Sequence, residues 1–146
     1  MSSPVGMFEV QLVVGDLEGM AAFYRDSLQL QVSLEDPDRG RTHFQLGRGQ
    51  LILAGADREE TASPDWPGLP PPLLVSSDRR GPSPPAHGPV HFAIEVPVAE
   101  VVPAGERLRA ARHDVRGPFR WPGGQISIYL HDPEGNVVEL ISDPRA

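Results

Sequence analysis

Apolar positions along this chain follow two rhythms, one of every second residue and one of every third or fourth, and the two alternate in the same order twice. The run FEVQLVV at 8–14 is rich in β-formers. Gly15 and Asp16 follow, with Asp16 placed to cap a helix. Leu17, Met20, Tyr24 and Leu28 then recur at helical spacing and predict an amphipathic helix of about three turns. Strands are expected at QVSLE (31–35), THFQL (42–46) and QLILA (50–54), the last two joined by the Gly47-Arg48-Gly49 turn. The predicted order is β-α-β-β-β.

From residue 55 to 89 neither rhythm survives, and nine of the chain's 17 prolines fall there, which marks a long connector with at most a short extended piece at PLLVS. Beyond it VHFAIEV (90–96) reads as a strand and VVPAGERLRAARH (101–113) as a helix with Pro103 in its first turn. DVRGPF (114–119), QISIYL (125–130) and NVVELI (136–141) are three further strands. The order is again β-α-β-β-β, so the chain divides into one module at 6–54 and a second at 90–142. A repeated order of elements implies two similar units packed against each other.

NVVELI raises a question of charge. Glu139 is the one carboxylate in an otherwise apolar strand, and burying it is costly unless it is paired or binds a cation. Laying the second module on the first sets FEVQLVVGD against VHFAIEVPV, so that Glu9 meets His91. Aligning Gly49 with Gly135 at the closing hairpins sets Leu53 where Glu139 stands. Of these four positions, Glu9, His91 and Glu139 hold side chains able to ligate a metal.

Composition narrows the setting. The 146-residue chain has no cysteine, so disulfides, thiolate metal sites and cysteine nucleophiles are absent. A net charge of −7 without a basic block disfavours nucleic acid. The start MSSPVGMFEV has no basic and apolar leader, and no run approaches membrane-spanning length, so no membrane association and a soluble, cytoplasmic protein are expected.

VVGDLEGMAAFYRDSLQL after the first strand, HFAIEVP opening the second half and above all IYLHDPEGNVVEL near the end resemble the vicinal oxygen chelate superfamily of glyoxalases, bleomycin resistance proteins and extradiol dioxygenases. The resemblance implies an α+β fold in which two βαβββ modules form a cup-shaped curved mixed sheet around a small-molecule cavity. It also implies metal ligands from the first and last strand of each module, here Glu9, His91 and Glu139, with Leu53 as an apolar wall. The ion would be divalent (Mn, Ni, Fe, Zn or Mg) and would act as a Lewis acid in isomerase, lyase or addition chemistry on a small oxygen-rich substrate. Glu9 is the ligand expected to double as a base. A metal-free drug-binding protein and an extradiol dioxygenase are the alternatives, the latter lacking a histidine in RGPFRWPGGQ.

Tyr129, ten residues before Glu139, resembles a dioxygenase tyrosine that hydrogen-bonds a bound oxygen, and reads equally as a cross-strand aromatic. Gln11 shares strand parity with Glu9 and is expected to line the cup or face solvent. Arg120 and Trp121 stand where a cation and an aromatic could grip an anionic or planar ligand, or simply form a turn. The Asp132-Pro133-Glu134-Gly135 turn and the remaining histidines read as structural or exposed, His131 excepted as a possible support for a ligand. Curved sheets with open edges predict a homodimer, with the cavity built within one chain or across two.

Overall fold

The structure, a computed structural model, describes residues 6–56 and 90–144. The connector predicted at 55–89 lies outside the described residues apart from its first two. The first half comprises β1 (Glu9–Val14), α1 (Leu17–Ala22) continuing into a π-helical stretch (Phe23–Ser27), β2 (Val32–Asp36), β3 (Arg41–Leu46) and β4 (Gly49–Gly55). The second comprises β5 (His91–Glu95), α2 (Val98–Ala110), β6 (Arg116–Arg120), β7 (Ile126–His131) and β8 (Val137–Ser142). The fold is α+β, with the βαβββ order present twice.

Asp16 caps α1 as its position predicts, its side chain accepting the Gly19 N–H at 3.0 Å. The second helix begins at Val98, three residues before its predicted start, so Pro103 sits inside it. Pro97 explains the earlier start: at φ −54 and ψ 141 it is the extended residue from which the helix departs. Val101, Ala104 and Leu108 form the buried stripe of α2, and Pro103 points to solvent, where its missing N–H disturbs no packing.

Each half is a four-stranded sheet in the order β1-β4-β3-β2 or β5-β8-β7-β6, with the first and last strands parallel and the other neighbours antiparallel. Neighbours in register share a face. Val10 and Leu12 therefore lie with Leu51 and Leu53 on the face covered by helices, whereas Glu9, Gln11 and Val13 lie with Gln50, Ile52 and Ala54 on the open face. In the second half Phe92 and Ile94 join Val138 and Leu140 under the helices, and His91 and Ala93 join Val137 and Glu139 on the open face.

The helix-covered faces of both sheets merge into one core that includes Leu12, Met20, Tyr24, Phe44, Leu53, Ile94, Leu108 and Ile128. Burying each such large side chain contributes about 1.5–3 kcal/mol before conformational entropy is counted. The Asp132–Gly135 turn, closed by a 3.0 Å bond from Gly135 N–H to Asp132 C=O, does more than join two strands. Asp132 accepts the Tyr24 hydroxyl at 2.8 Å, and Glu134 accepts the Gly15 N–H at 2.7 Å, so the turn braces the first half against the second. His113 adds a 3.1 Å contact to Ser27 across the same junction.

Among the described residues no helix is long and apolar enough to cross a membrane.

Candidate functional site

Parity brings three polar side chains together on the open face of the second half. Glu139, only 7% exposed, takes a hydrogen bond from the Tyr129 hydroxyl at 2.7 Å on one oxygen, and His91 Nε2 lies 3.2 Å from the other. Tyr129 is the direct cross-strand partner of Glu139, which is why their side chains meet. Burial, and beyond it the Glu139 carboxylate, push the Tyr129 hydroxyl above the ordinary phenol range, while Ser127 pulls it the other way. It is thus held as a donor at neutral pH. The His91 and Phe119 rings flank Tyr129, each with its centroid 5.8 Å away. The Trp121 indole N–H donates to Ser127 Oγ at 2.8 Å, which fixes an indole that is 45% exposed.

The first half presents a different set. Gln50 Nε2 donates to Glu9 Oε2 at 3.1 Å, and Gln50 Oε1 lies 3.3 Å from His43 Nδ1. Gln11 is exposed on the same face. Glu9 and His91 line one open groove of about 1180 Å³ between β1 and β5, together with Gln50, Glu95 and Asp143. Among the described residues, however, no three His, Asp or Glu side chains lie close enough to hold one ion. Glu9 does not meet the His91–Glu139 pair within a single chain.

Two expected cavity residues are placed elsewhere. Leu53 is fully buried in the core on the helix-covered face, paired with Leu12. Because Glu9 pairs with Gln50 and His91 with Val137, the residue of β4 that corresponds to Glu139 is Ile52. The two closing hairpins differ in loop length, so Gly49 and Gly135 are not equivalent, and a shift of one residue in register turns a side chain to the opposite face. Arg120 likewise pairs with Ile126, which packs against the core, whereas Phe119 pairs with Ser127 and shares the face of Tyr129. A bulge between Arg116 and Phe119 inserts the extra residue that reverses the alternation. Gly117 sits in that bulge at φ +103, where a Cβ would come within 2.8 Å of the Ser127 carbonyl oxygen.

His43, expected to be structural or exposed, and Gln50 are polar residues of the open face, and of the two Gln50 lines the groove. Their signal lay in the strand register, which places His43 opposite Ile52 and so makes it the counterpart of Tyr129.

A paired βαβββ fold with a carboxylate and an imidazole in contact on its open face defines the class of protein. The model of the Glyoxalase/Bleomycin resistance protein/Dioxygenase superfamily matches residues 6–140, and the chain belongs to that superfamily. Its structure is similar to that of a lactoylglutathione lyase from Agrobacterium tumefaciens, at 31% identity over 97% of this chain and 96% of that one, with a TM-score of 0.73. A glyoxalase/bleomycin resistance protein/dioxygenase from Nocardioides is 26% identical over 97% and 85% of the two chains, with a TM-score of 0.65. TioX from Micromonospora sp. ML1 shares the fold at 15% identity, over 94% and 98% of the chains, with a TM-score of 0.64. Among curated proteins there is no match.

Proposed function

We propose that this chain is the subunit of a divalent-metal-dependent isomerase or lyase acting on a small oxygen-rich carbonyl compound, with Glu9, His91 and Glu139 as its protein ligands. The observation that supports this most is the nearly buried Glu139 carboxylate held between His91 and Tyr129. A carboxylate and an imidazole aimed at each other on an open face are a donor pair suited to Mn, Ni, Fe, Zn or Mg. The residues present therefore fit the group in part, supplying two donors in one half and a third, Glu9, in the other. An ion bound there would supply Lewis acidity toward a substrate carbonyl. Tyr129 orients Glu139 and keeps its own proton, while Glu9, with one oxygen tied to Gln50, offers the other as a proton acceptor. The likeness to a lactoylglutathione lyase makes that thioester chemistry the first to assay.

The separation of Glu9 from the other two donors favours a homodimer in which the open face of one first half meets that of the partner's second half. Apolar side chains exposed on these faces, Val13 and Leu34 in the first half and Phe119 in the second, fit the same arrangement. The dioxygenase reading loses ground because Glu9 replaces a second histidine. A metal-free binding protein for a planar ligand is the second reading, favoured by the exposed Phe119 and the indole of Trp121 fixed by Ser127.

Elemental analysis of tag-free protein, with melts in Mn²⁺, Ni²⁺, Zn²⁺, Fe²⁺ or Mg²⁺, tests the metal. At least one ion should raise the melting temperature of the wild type and not of His91→Ala. Identical melts under all conditions would leave the binding-protein reading in its place. Glu9→Ala and His91→Ala chains, each deficient alone, should regain metal binding when mixed and allowed to exchange.

A further inference from the structure

Among the described residues two imidazoles on the open faces have no part in the donor set, His131, exposed at the end of β7, and His43. His43 lies in the middle of β3, half-buried, opposite Ile52 of β4. Tyr129 holds the corresponding place in β7, opposite Glu139 of β8. The two halves therefore each direct a proton-bearing side chain from their third strand toward the same face, a phenol in one and an imidazole in the other.

The partners of His43 settle which of its nitrogens is engaged. A carboxylate only accepts, so Glu9 requires the amide NH₂ of Gln50, and Gln50 Nε2 lies 3.1 Å from Glu9 Oε2. That orientation turns Gln50 Oε1 toward His43 Nδ1, 3.3 Å away. An amide oxygen is likewise an acceptor only, so Nδ1 must carry a hydrogen. In the neutral ring the lone pair is then on Nε2.

We propose that His43 is a second proton-transfer residue of the open face, beside Glu9, locked by the Glu9–Gln50 pair in its Nδ1–H tautomer so that Nε2 takes a proton from substrate. The proposal rests on the reading of the open faces as walls of a reaction cavity. The step it describes is abstraction next to a carbonyl. The C–H bond breaks, its proton goes to Nε2, and its electron pair moves into the carbonyl to form an enolate. Return of the proton to carbon restores the neutral ring, and no oxidant or reductant is consumed. The same chain of contacts ties the orientation of His43 to that of Glu9, so a substrate held near Glu9 meets a ring already turned.

The test has one arm without metal or substrate and one with turnover. Nitrogen-15 NMR of the full chain, with the His43 signals assigned by their loss in His43→Asn, should show the Nδ1–H tautomer in wild type. Gln50→Leu should release it toward the Nε2–H form that free imidazole side chains favour. A wild-type ring found as Nε2–H overturns the proposal and leaves the proposed function standing. In the second arm, formation of lactoylglutathione from methylglyoxal and glutathione is followed in metal-loaded protein. His43→Asn keeps a donor for Gln50 but cannot take a proton, so kcat should fall by about 10²-fold or more with KM and Mn²⁺ affinity within about twofold. Added imidazole should restore part of the rate of His43→Ala. If His43→Asn turns over like wild type, His43 is only a prop for Gln50 and the proposal fails. A wild type that binds metal but turns over no carbonyl substrate would overturn the proposed function and this role with it, whatever the tautomer.

Discussion

The Tyr24 hydroxyl and the Asp132 carboxylate, 108 residues apart in sequence, share a buried 2.8 Å hydrogen bond that fastens the first helical segment to the last hairpin. Asp132 also accepts from the backbone N–H groups of Glu134 and Asn136 and from the Asn136 side chain. Losing Tyr24 as a donor therefore does not strand the carboxylate. Tyr24→Phe should cost about 1–2 kcal/mol in urea unfolding, near the lower end for a buried bond to a charged group.

The same pair predicts a pH dependence. Burial first, and then Asp132, hold the Tyr24 hydroxyl far above its ordinary value of 10.0. The folded chain keeps a proton that the unfolded chain releases. The contribution is complete below the unfolded value and declines as pH rises past it, by about 1.4 kcal/mol per pH unit. Tyr129, also raised, acts in the same direction. Urea midpoints measured across alkaline pH should fall less steeply in Tyr24→Phe than in wild type, without becoming flat. Parallel slopes would mean that the Tyr24 proton is not retained.

Which features could be read beforehand follows from the range of the forces involved. The βαβββ order, the Asp16 cap and the turn at Asp132 are local, written in periodicity and in residues suited to single backbone positions. The shared face of His91 and Glu139 was also legible, because strand parity and the repeat both pointed to it. The faces of Leu53 and Arg120 were not legible, for the converse reason. A hairpin's register and a bulge at Gly117–Pro118 depend on how neighbouring strands pair, and one residue in either reverses a face. The contact of His43 with Gln50, and that of Tyr24 with Asp132, appear only once distant strands and helices are in place.

Trp121 offers a direct probe of ligand entry. The chain has two tryptophans, at 66 and 121, and Trp121 is held over the open face by Ser127. A bound planar or carbonyl ligand should quench fluorescence in Trp66→Phe and leave Trp121→Phe unchanged. Ser127→Ala, which frees the indole, should weaken the ligand by about 1 kcal/mol through lost preorganisation. Quenching that persists in Trp121→Phe would place the ligand away from this aromatic wall.

Exposed apolar residues on the open faces bear on assembly. Val13 is 55% and Phe119 47% exposed in the single chain. If two chains close over these faces, Val13→Lys or Phe119→Lys should shift equilibrium sedimentation toward monomer and weaken metal binding together, because the third donor arrives with the partner. A wild type that sediments only as monomer would require Glu9 and His91 to meet across their own groove.

The strand register around Ile52 supplies the sharpest test of the donor set. Ile52 lies on the open face beside Gln50 and opposite His43, in the place that Glu139 holds in the other half. Ile52→Glu would bring a carboxylate to the fourth repeat-equivalent position. Ile52 is buried, and the added charge would sit near Glu9, so the metal-free variant should lose about 1–3 kcal/mol or more. A divalent ion should restore that loss, and calorimetric titration should show tighter metal binding than in wild type. Turnover should fall, since a fourth protein ligand leaves fewer positions for substrate oxygens. Leu53→Glu is the control: Leu53 is wholly inside the core, so its carboxylate should unfold the chain with or without metal. If the two variants melt alike at every metal concentration, Ile52 does not face the ion, and the pairing of Glu9 with His91 and Glu139 as one donor set would have to be abandoned.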